Sequence, residues 1–260
     1  MLKTRVLTSV ISLLLLGVIL FVIPPRATEL VIGLLILAGA WEWSGFLDLK
    51  SPVVRALYVV LIAVLCAVPY LVADTATVIL QIGFVWWFVA FVWAMFFPTP
   101  IPAVIRWICG ALVLVPLFTA LVMLFQDGPL YLLFALLIVW AADAGAYFAG
   151  KRFGRVKLAP SISPGKTWEG VIGGLSVVIV LAFAVGKWAA VSVAVLVPFC
   201  LAVGGLSIVG DLTVSMFKRT AGVKDSGKLF PGHGGVLDRV DSVAAAAPLF
   251  TLGIGWLGLV

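Results

Sequence analysis

Acidic, hydroxyl and lysine side chains recur at helical spacing late in the 260-residue sequence. One series, spaced i, i+4, i+8 and i+11, shares a single face if its segment is helical: Ser207, Asp211, Ser215 and Lys218. A second series, spaced i, i+3 and i+4, opens the last apolar segment with Asp238, Asp241 and Ser242. Carboxylate and hydroxyl oxygens are the ligands that Mg²⁺ prefers, and phosphate oxygens complete its shell. The two series therefore predict a magnesium site that binds a phosphorylated substrate between two helices.

The segment that joins the two series is rich in glycine and positive charge. Gly234 and Gly235 let backbone N–H groups approach an anion closely. The cations around them are Lys218, Arg219, Lys224 and Arg239. A basic loop on anionic lipid would explain these cations but not the aspartates, because acids near a membrane are costly and usually functional. His233 precedes the glycines, and the sequence leaves open whether it contacts phosphate or is a structural hydrogen-bond donor.

A second polar segment lies upstream and ends at Thr167. Small residues from 141 to 150 favour close helix packing, but packing does not explain the acid Asp143 among them. Lys151 opens a basic run, and Lys166 lies beside a predicted helix N-terminus, where phosphate binds readily. Thr167 either contacts the substrate or caps that helix, and the sequence leaves both roles open.

The composition of the chain excludes a water-soluble globule. Hydrophobic residues make up 64% of the sequence and charged residues 11%, whereas soluble domains carry about 25% charged residues. Disorder is excluded as well, because it requires low hydrophobicity. The apolar segments long enough to span a membrane are 5–23, 28–47, 53–72, 76–97, 101–125, 129–150, 168–186, 189–210 and 242–260. We therefore predict an all-α polytopic membrane protein with about nine transmembrane helices, in which two basic cytoplasmic loops form a polar site.

The cations are distributed unevenly between the connections. If the N-terminus is cytoplasmic, 15 of the 17 lysines and arginines fall on the cytoplasmic side, as the positive-inside rule requires. We expect an inner-membrane protein with a cytoplasmic N-terminus and active site, and with its C-terminus on the opposite side. Residues 1–128, with few reactive groups, are the expected transmembrane scaffold, and residues 129–260 the catalytic region. For Glu42 the sequence leaves open a cation partner, a substrate path or a place in an interfacial tryptophan pair.

The segment from Ser215 to Asp241 resembles the signature of the phosphatidate cytidylyltransferases (CDP-diacylglycerol synthases). Its polar and glycine positions are in register over 27 residues. Asp143 and the segment 163–170 also look like that family. The resemblance implies that CTP and phosphatidic acid react to give CDP-diacylglycerol and pyrophosphate, with Mg²⁺, in phospholipid biosynthesis.

The resemblance and the residue chemistry together assign a role to each candidate. The catalytic group comprises Asp211, Asp238, Lys218, Arg219 and His233. The substrate-binding group comprises Lys151, Lys166, Thr167, Ser215, Lys224, Asp225, Gly234, Gly235 and Arg239. The metal-binding group, for Mg²⁺ with or without a second cation, comprises Asp211, Asp238, Asp241 and Asp143. The expected partners are CTP, phosphatidic acid, membrane lipids and a second copy of the chain in a homodimer, but no nucleic acid.

Two other functions compete with this one. A transporter or channel for an anionic substrate would also use charged residues within spans. It predicts paired broken helices in the two halves, and the chemically sparse first half argues against that. Another membrane phosphotransferase, acting on a polyprenyl or alcohol substrate, would share the aspartates and Mg²⁺ but not the turn that follows His233.

Overall fold

The computed structural model describes residues 2–49, 51–227, 229 and 234–258, with 2–9 and 12 described as backbone only. The α-helices in these ranges are α1 Leu2–Phe21, α2 Pro25–Trp43, α3 Pro52–Leu71, α4 Thr75–Met95, α5 Ala103–Asp127, α6 Pro129–Phe153, α7 Trp168–Trp188, α8 Val193–Thr220 and α9 Leu237–Trp256. A short 3₁₀ helix, Ser44–Leu47, continues α2. Two strands, β1 Lys157–Ala159 and β2 Ser163–Thr167, precede α7. His233, a residue predicted to be catalytic, lies outside the described residues.

Seven helices in the described part of the chain are long and apolar enough to cross a membrane, namely α2 with its 3₁₀ extension and α3 to α8. The protein is therefore a predominantly helical polytopic membrane protein, as predicted. Each of the predicted apolar segments coincides with a helix, although α1 and α9 are not among the seven. Helix α9 begins at Leu237 rather than at 242, and its first turns carry Asp238, Arg239 and Asp241.

Helix α8 extends well beyond its predicted apolar span. It continues to Thr220, whereas the apolar segment ends at 210. Hydropathy marks only where a helix is apolar, while the helix itself continues as long as its backbone hydrogen bonds are made. Asp211, Ser215 and Lys218 share one face only if the helix continues through them. Because α8 does so, the prediction of a shared face is confirmed.

Helices α5 and α9 occupy the interior of the bundle. In α5, 72% of the most apolar stretch is buried inside the protein, against 17% in α3. In α9, the consecutive alanines 244–247 are all buried, and such small side chains allow neighbouring helices to approach closely. Helix α9 packs against α4, α5 and α8. It thereby connects the first half of the chain to the helix that carries Asp211.

Glycines allow α6 and α7 to pack closely. A Cβ atom added at Gly145 would lie 2.8 Å from the carbonyl oxygen of Gly173, and one added at Gly170 would lie 3.0 Å from that of Ala146. The prediction that the small residues of 141–150 serve helix packing is therefore confirmed. The close approach brings the C-terminal end of α6 beside the N-terminal end of α7.

A β-hairpin connects α6 to α7, so the first predicted loop has regular structure of its own. Strands β1 and β2 pair antiparallel, with Lys157 opposite Thr167. Pro160 and Pro164 disfavour a continued helix, because proline lacks the N–H that a helix interior requires. The hairpin provides hydrogen-bond partners for the backbone N–H and C=O groups instead. For example, the N–H of Trp168 donates to the carbonyl of Val156 at 2.9 Å.

Candidate functional site

The ends of five helices and the hairpin meet at one end of the bundle, which we call the polar end. It comprises the C-terminal ends of α2, α6 and α8, the N-terminal ends of α7 and α9, and the β-hairpin. A cleft of about 460 Å³ opens here between α6, β2, α7 and α8. The charged and hydroxyl-bearing side chains on its walls are Asp143, Tyr147, Lys151, Lys166, Thr167 and Asp211. All of these except Tyr147 were predicted for the site.

Asp211 is held from two directions. Its Oδ2 lies 2.7 Å from Nζ of Lys166 on β2. Its Oδ1 accepts a hydrogen bond of 3.1 Å from Oγ of Ser215, one turn further along α8. The side chains of Asp211 and Lys166 are 28% and 25% exposed, so both remain accessible from the cleft. The ion pair connects the hairpin to α8, and the hydroxyl fixes the rotation of the carboxylate.

Lys218 joins α8 to α9. Its Nζ lies 2.8 Å from Oδ1 of Asp238 and 3.8 Å from Oδ2 of Asp241. All three side chains are nearly buried, so the ammonium group compensates two acids that water does not solvate well. Phosphate binding by Lys218 stays a prediction, and its partners in this structure are the two aspartates.

The acids of α8 and α9 interact with each other. Burial and the neighbouring Asp211 carboxylate raise the pKa of Asp241 above its ordinary value. Asp143, on α6, lies within electrostatic range of both Asp211 and Lys166. Asp143 and Asp241, on two other helices, therefore both lie within electrostatic range of Asp211.

Asp238 closes the loop that leads into α9. Its Oδ2 accepts hydrogen bonds from the N–H of Ser226 at 2.9 Å, the Oγ of Ser226 at 3.0 Å and the N–H of Gly235 at 2.9 Å. Burial raises the pKa of Asp238, but the hydrogen bonds from Lys218 and Gly235 outweigh it and hold that pKa below its ordinary value. The Gly235 N–H, predicted to contact phosphate, donates to this carboxylate here. Among the described residues, Oδ1 has only Lys218 as a hydrogen-bond partner, so it keeps lone-pair capacity.

Glu42 belongs to the polar end, although its role could not be decided from the sequence. Its Oε1 accepts from the N–H of Val236 and its Oε2 from the N–H of Leu237, both at 2.9 Å. Oε2 also accepts a hydrogen bond of 2.8 Å from Oγ of Ser226. The only signal in the sequence was an acid within an otherwise apolar segment, which predicts a buried partner without naming it.

Two predicted residues secure the hairpin. Arg219 Nε donates to the carbonyl of Ile162 at 3.1 Å, which holds the hairpin against the end of α8. Thr167 Oγ1 accepts from the N–H of Gly170 at 3.2 Å, so Thr167 is the N-cap of α7. The capping role that the sequence left open is thereby confirmed, and a substrate contact by Thr167 stays a prediction.

The remaining predicted residues surround the site. Lys151 Nζ lies 5.7 Å from the centre of the Tyr147 ring, a distance typical of a cation–π contact. Gly234 has a φ of 83°, a conformation that glycine adopts without a steric penalty. Lys151, Lys224, Asp225 and Arg239 are all exposed.

Comparison with known proteins identifies the family of this chain. The model of the cytidylyltransferase family matches residues 3–256. The chain belongs to this family. A phosphatidate cytidylyltransferase of Pseudomonas aeruginosa is 40% identical over 260 positions, covering 96% of each chain. One of Haemophilus influenzae is 36% identical over 284 positions, covering 96% of this chain and 98% of that protein. One of Staphylococcus haemolyticus is 47% identical over 131 positions, covering 49% and 50%.

The donor set of this cytidylyltransferase family member suits a magnesium ion that the substrate helps to bind. Within the described ranges, no three His, Cys, Asp or Glu side chains are already arranged as a metal site. Mg²⁺ is commonly bound by one or two carboxylates, with substrate phosphates and water completing its shell. Asp211 and Asp238 could supply those carboxylates, because the Oδ1 of Asp238 keeps lone-pair capacity. Asp241, within electrostatic range of Asp211, is a third candidate ligand.

Proposed function

We propose that this cytidylyltransferase family member transfers CMP from CTP to phosphatidic acid, giving CDP-diacylglycerol and pyrophosphate in phospholipid biosynthesis. The observation that carries the proposal is the similarity, over 96% of both chains, to a protein named for that reaction. The polar end supports it, because acids and lysines gather there at the ends of apolar helices. A lipid phosphate at the membrane surface and a nucleotide from water can both reach such a position.

The proposed reaction needs no nucleophile from the protein. The phosphate of phosphatidic acid is already an oxyanion near neutral pH, because the second pKa of a phosphate monoester is about 6. One of its oxygens attacks the α-phosphorus of CTP. The bond from that phosphorus to the bridging oxygen of the β-phosphate breaks, and pyrophosphate leaves with the electron pair. The protein contributes positioning and charge neutralisation, on which phosphoryl-type transfer chiefly depends.

We assign the residues of the polar end to these tasks. Lys151 and Lys166 hold phosphate groups, because both line the cleft. Mg²⁺ would be held by Asp211 and Asp238, with Asp241 and Asp143 beside them, and when bound it neutralises charge that develops on the phosphate oxygens. The further substrate contacts that we propose are those of Ser215, Lys218, Arg219, Lys224, Asp225, Gly234, Gly235 and Arg239.

We further propose that the polar end faces the cytoplasm of the inner membrane. The support is the positive-inside distribution, in which 15 of 17 cations fall on that side. In this orientation the C-terminus lies on the opposite side of the membrane. We also propose that the protein forms a homodimer. The mass of the purified protein in detergent would test this oligomeric state.

The proposal is tested on the purified full-length chain in detergent, with labelled CTP, phosphatidic acid and Mg²⁺. Pyrophosphate and CDP-diacylglycerol are expected only when both substrates are present. Replacing phosphatidic acid by a polyprenyl phosphate or a diacylglycerol distinguishes the competing phosphotransferase. Movement of substrate across reconstituted vesicles without any product would favour transport. Absence of both products, with folded protein and both substrates present, would overturn the proposal.

A further inference from the structure

Glu42 caps a helix to which it is not connected in sequence. The first N–H groups of a helix have no partner within it, and α9 has no side-chain cap of its own at Val236. The Glu42 carboxylate accepts from the N–H groups of Val236 and Leu237. Its negative charge also lies at the positive end of the α9 dipole, where a carboxylate is stabilising.

The chain encloses the Glu42 carboxylate closely. Glu42 is only 8% exposed. A Cβ atom added at Gly227 or Gly235 would collide with the carboxylate, so the connecting segment passes it at two glycines. Among the described residues no lysine or arginine forms an ion pair with Glu42, and N–H and O–H donors compensate its charge instead.

Two arginines hold the end of α2, from which Glu42 extends. Arg55 Nε donates to Ser44 Oγ at 2.8 Å, and its Nη2 donates to the Trp41 carbonyl at 3.0 Å. Arg106 Nη2 lies 2.6 Å from Oδ2 of Asp48, just after the 3₁₀ helix. Glu42 therefore projects from a segment that is bonded to both α3 and α5.

The hydrogen bonds of Glu42 continue to the acids of the polar end. Ser226 Oγ lies 2.8 Å from Oε2 of Glu42 and 3.0 Å from Oδ2 of Asp238, so its single proton serves one carboxylate at a time. Asp238 in turn accepts from Lys218, which also lies near Asp241. A displacement of the Glu42 carboxylate would therefore move the α9 acids relative to α8.

We propose that Glu42 is a positioning residue for the reaction: it sets the N-terminus of α9 so that Asp238 and Asp241 face Asp211 in the geometry that the metal and substrate require. The inference rests on the proposed function. It makes a residue of the first half of the chain part of the catalytic arrangement, without contact to the reacting atoms. Residues that orient metal ligands typically affect metal affinity or activity about 10–100-fold when they are changed.

The test compares Glu42→Gln with Glu29→Gln. Gln retains the size of Glu but turns an N–H₂ group towards the backbone N–H groups of α9. Glu29 lies on the same helix at the opposite end, where it accepts from Gln126. For Glu42→Gln we expect the Mg²⁺ concentration at half-maximal activity to rise about 10-fold or more. For Glu29→Gln we expect no change, and Glu42→Asp is expected to recover part of the loss.

A second measurement does not depend on activity. In metal-free protein, hydrogen exchange of the amides in the first turn of α9 should be faster in Glu42→Gln than in wild type, with the hairpin amides unchanged. If Glu42→Gln does not fold, Ser226→Ala, which removes only the hydroxyl bridge, should shift the Mg²⁺ dependence in the same direction by a smaller factor. Wild-type Mg²⁺ dependence in the folded variant or variants would overturn the inference, whereas an inactive wild type would overturn the proposed function.

Discussion

The two ends of the helical bundle contain cavities of comparable size and opposite chemistry. The cleft at the polar end has a volume of about 460 Å³, and two aspartates and two lysines line it. The cavity at the other end is larger, about 640 Å³, and its walls are formed by apolar and aromatic side chains such as Phe134, Trp188 and Phe250. Of the side chains that the structure describes, none that lines the larger cavity is charged. Cavity size therefore does not identify the site, because transfer between phosphates depends on charge that only the smaller cleft supplies.

The difference also shows how a membrane protein keeps charged groups at one depth. Lys166 lies on β2, and Lys218 and its two aspartate partners lie at the ends of α8 and α9. Each of the paired acids has a cation or hydrogen-bond donor beside it. Isolated charges within the apolar part of a bundle would be costly, whereas charges that are paired near helix ends cost less. At the polar end the residues proposed for function also form the stabilising ion pairs, so a substitution there should affect both activity and stability. At the other end a substitution can affect stability alone.

The largest expected effect is that of Asp211→Ala. It removes a proposed metal ligand and the partner of Lys166, so kcat/KM should fall by about 10³-fold or more. The labelled-CTP assay measures this loss. The matched control is Asp127→Ala, an exposed acid at the opposite end of the bundle, which should keep wild-type activity. Near-full activity of Asp211→Ala would falsify the metal assignment.

The next expected effect is on stability, and it comes from Lys218→Met. The substitution leaves Asp238 and Asp241 buried without their cation, which costs about 3–5 kcal/mol for a broken buried pair. Thermal unfolding in detergent measures it. Lys187→Met, at the exposed C-terminal end of α7, should change stability by less than about 0.5 kcal/mol. Equal melting temperatures for the two variants would show that the buried lysine at the polar end contributes no more to stability than the exposed lysine at the other end.

A smaller effect is expected where α6 and α7 approach each other to form one wall of the cleft. Gly145→Ala places a methyl group against the backbone of α7 and should cost about 1–3 kcal/mol. Gly205→Ala in α8 has no atom within 4 Å of the added carbon and should stabilise by about 0.5–1 kcal/mol. Chemical unfolding of the two variants compares them directly. A neutral Gly145→Ala would mean that the helices are free to separate.

The smallest expected effect is that of Thr167→Ala. Loss of the α7 cap should cost about 1 kcal/mol, while Thr167→Ser retains the hydroxyl and should be close to wild type. If the Thr167 hydroxyl serves only as the cap, the KM for CTP should remain unchanged in both variants. An increased KM at unchanged melting temperature would instead assign the Thr167 hydroxyl to substrate binding.

Local features of the fold could be read from the sequence because they depend on neighbouring residues. The apolar segments coincide with helices, and the Asp211–Ser215 hydrogen bond follows directly from i, i+4 spacing. The hairpin was not predicted, because three- and five-residue strands give almost no periodic signal. The small residues of α6 indicated close packing, but they did not identify α7 as the partner.

The sequence by itself determined that the chain is a membrane protein, which half carries the acids and lysines, and which family it resembles. These properties are encoded in composition, in short spacings and in a contiguous motif. Only the tertiary structure decided that Glu42 caps α9, across a separation of 194 positions. It also decided that Lys218 lies between Asp238 and Asp241, and that Gly235 donates to an aspartate. The physical reason is that bundle packing, not local sequence, selects which donors and acceptors meet, and most buried polar groups then pair with the partner that packing brings within reach.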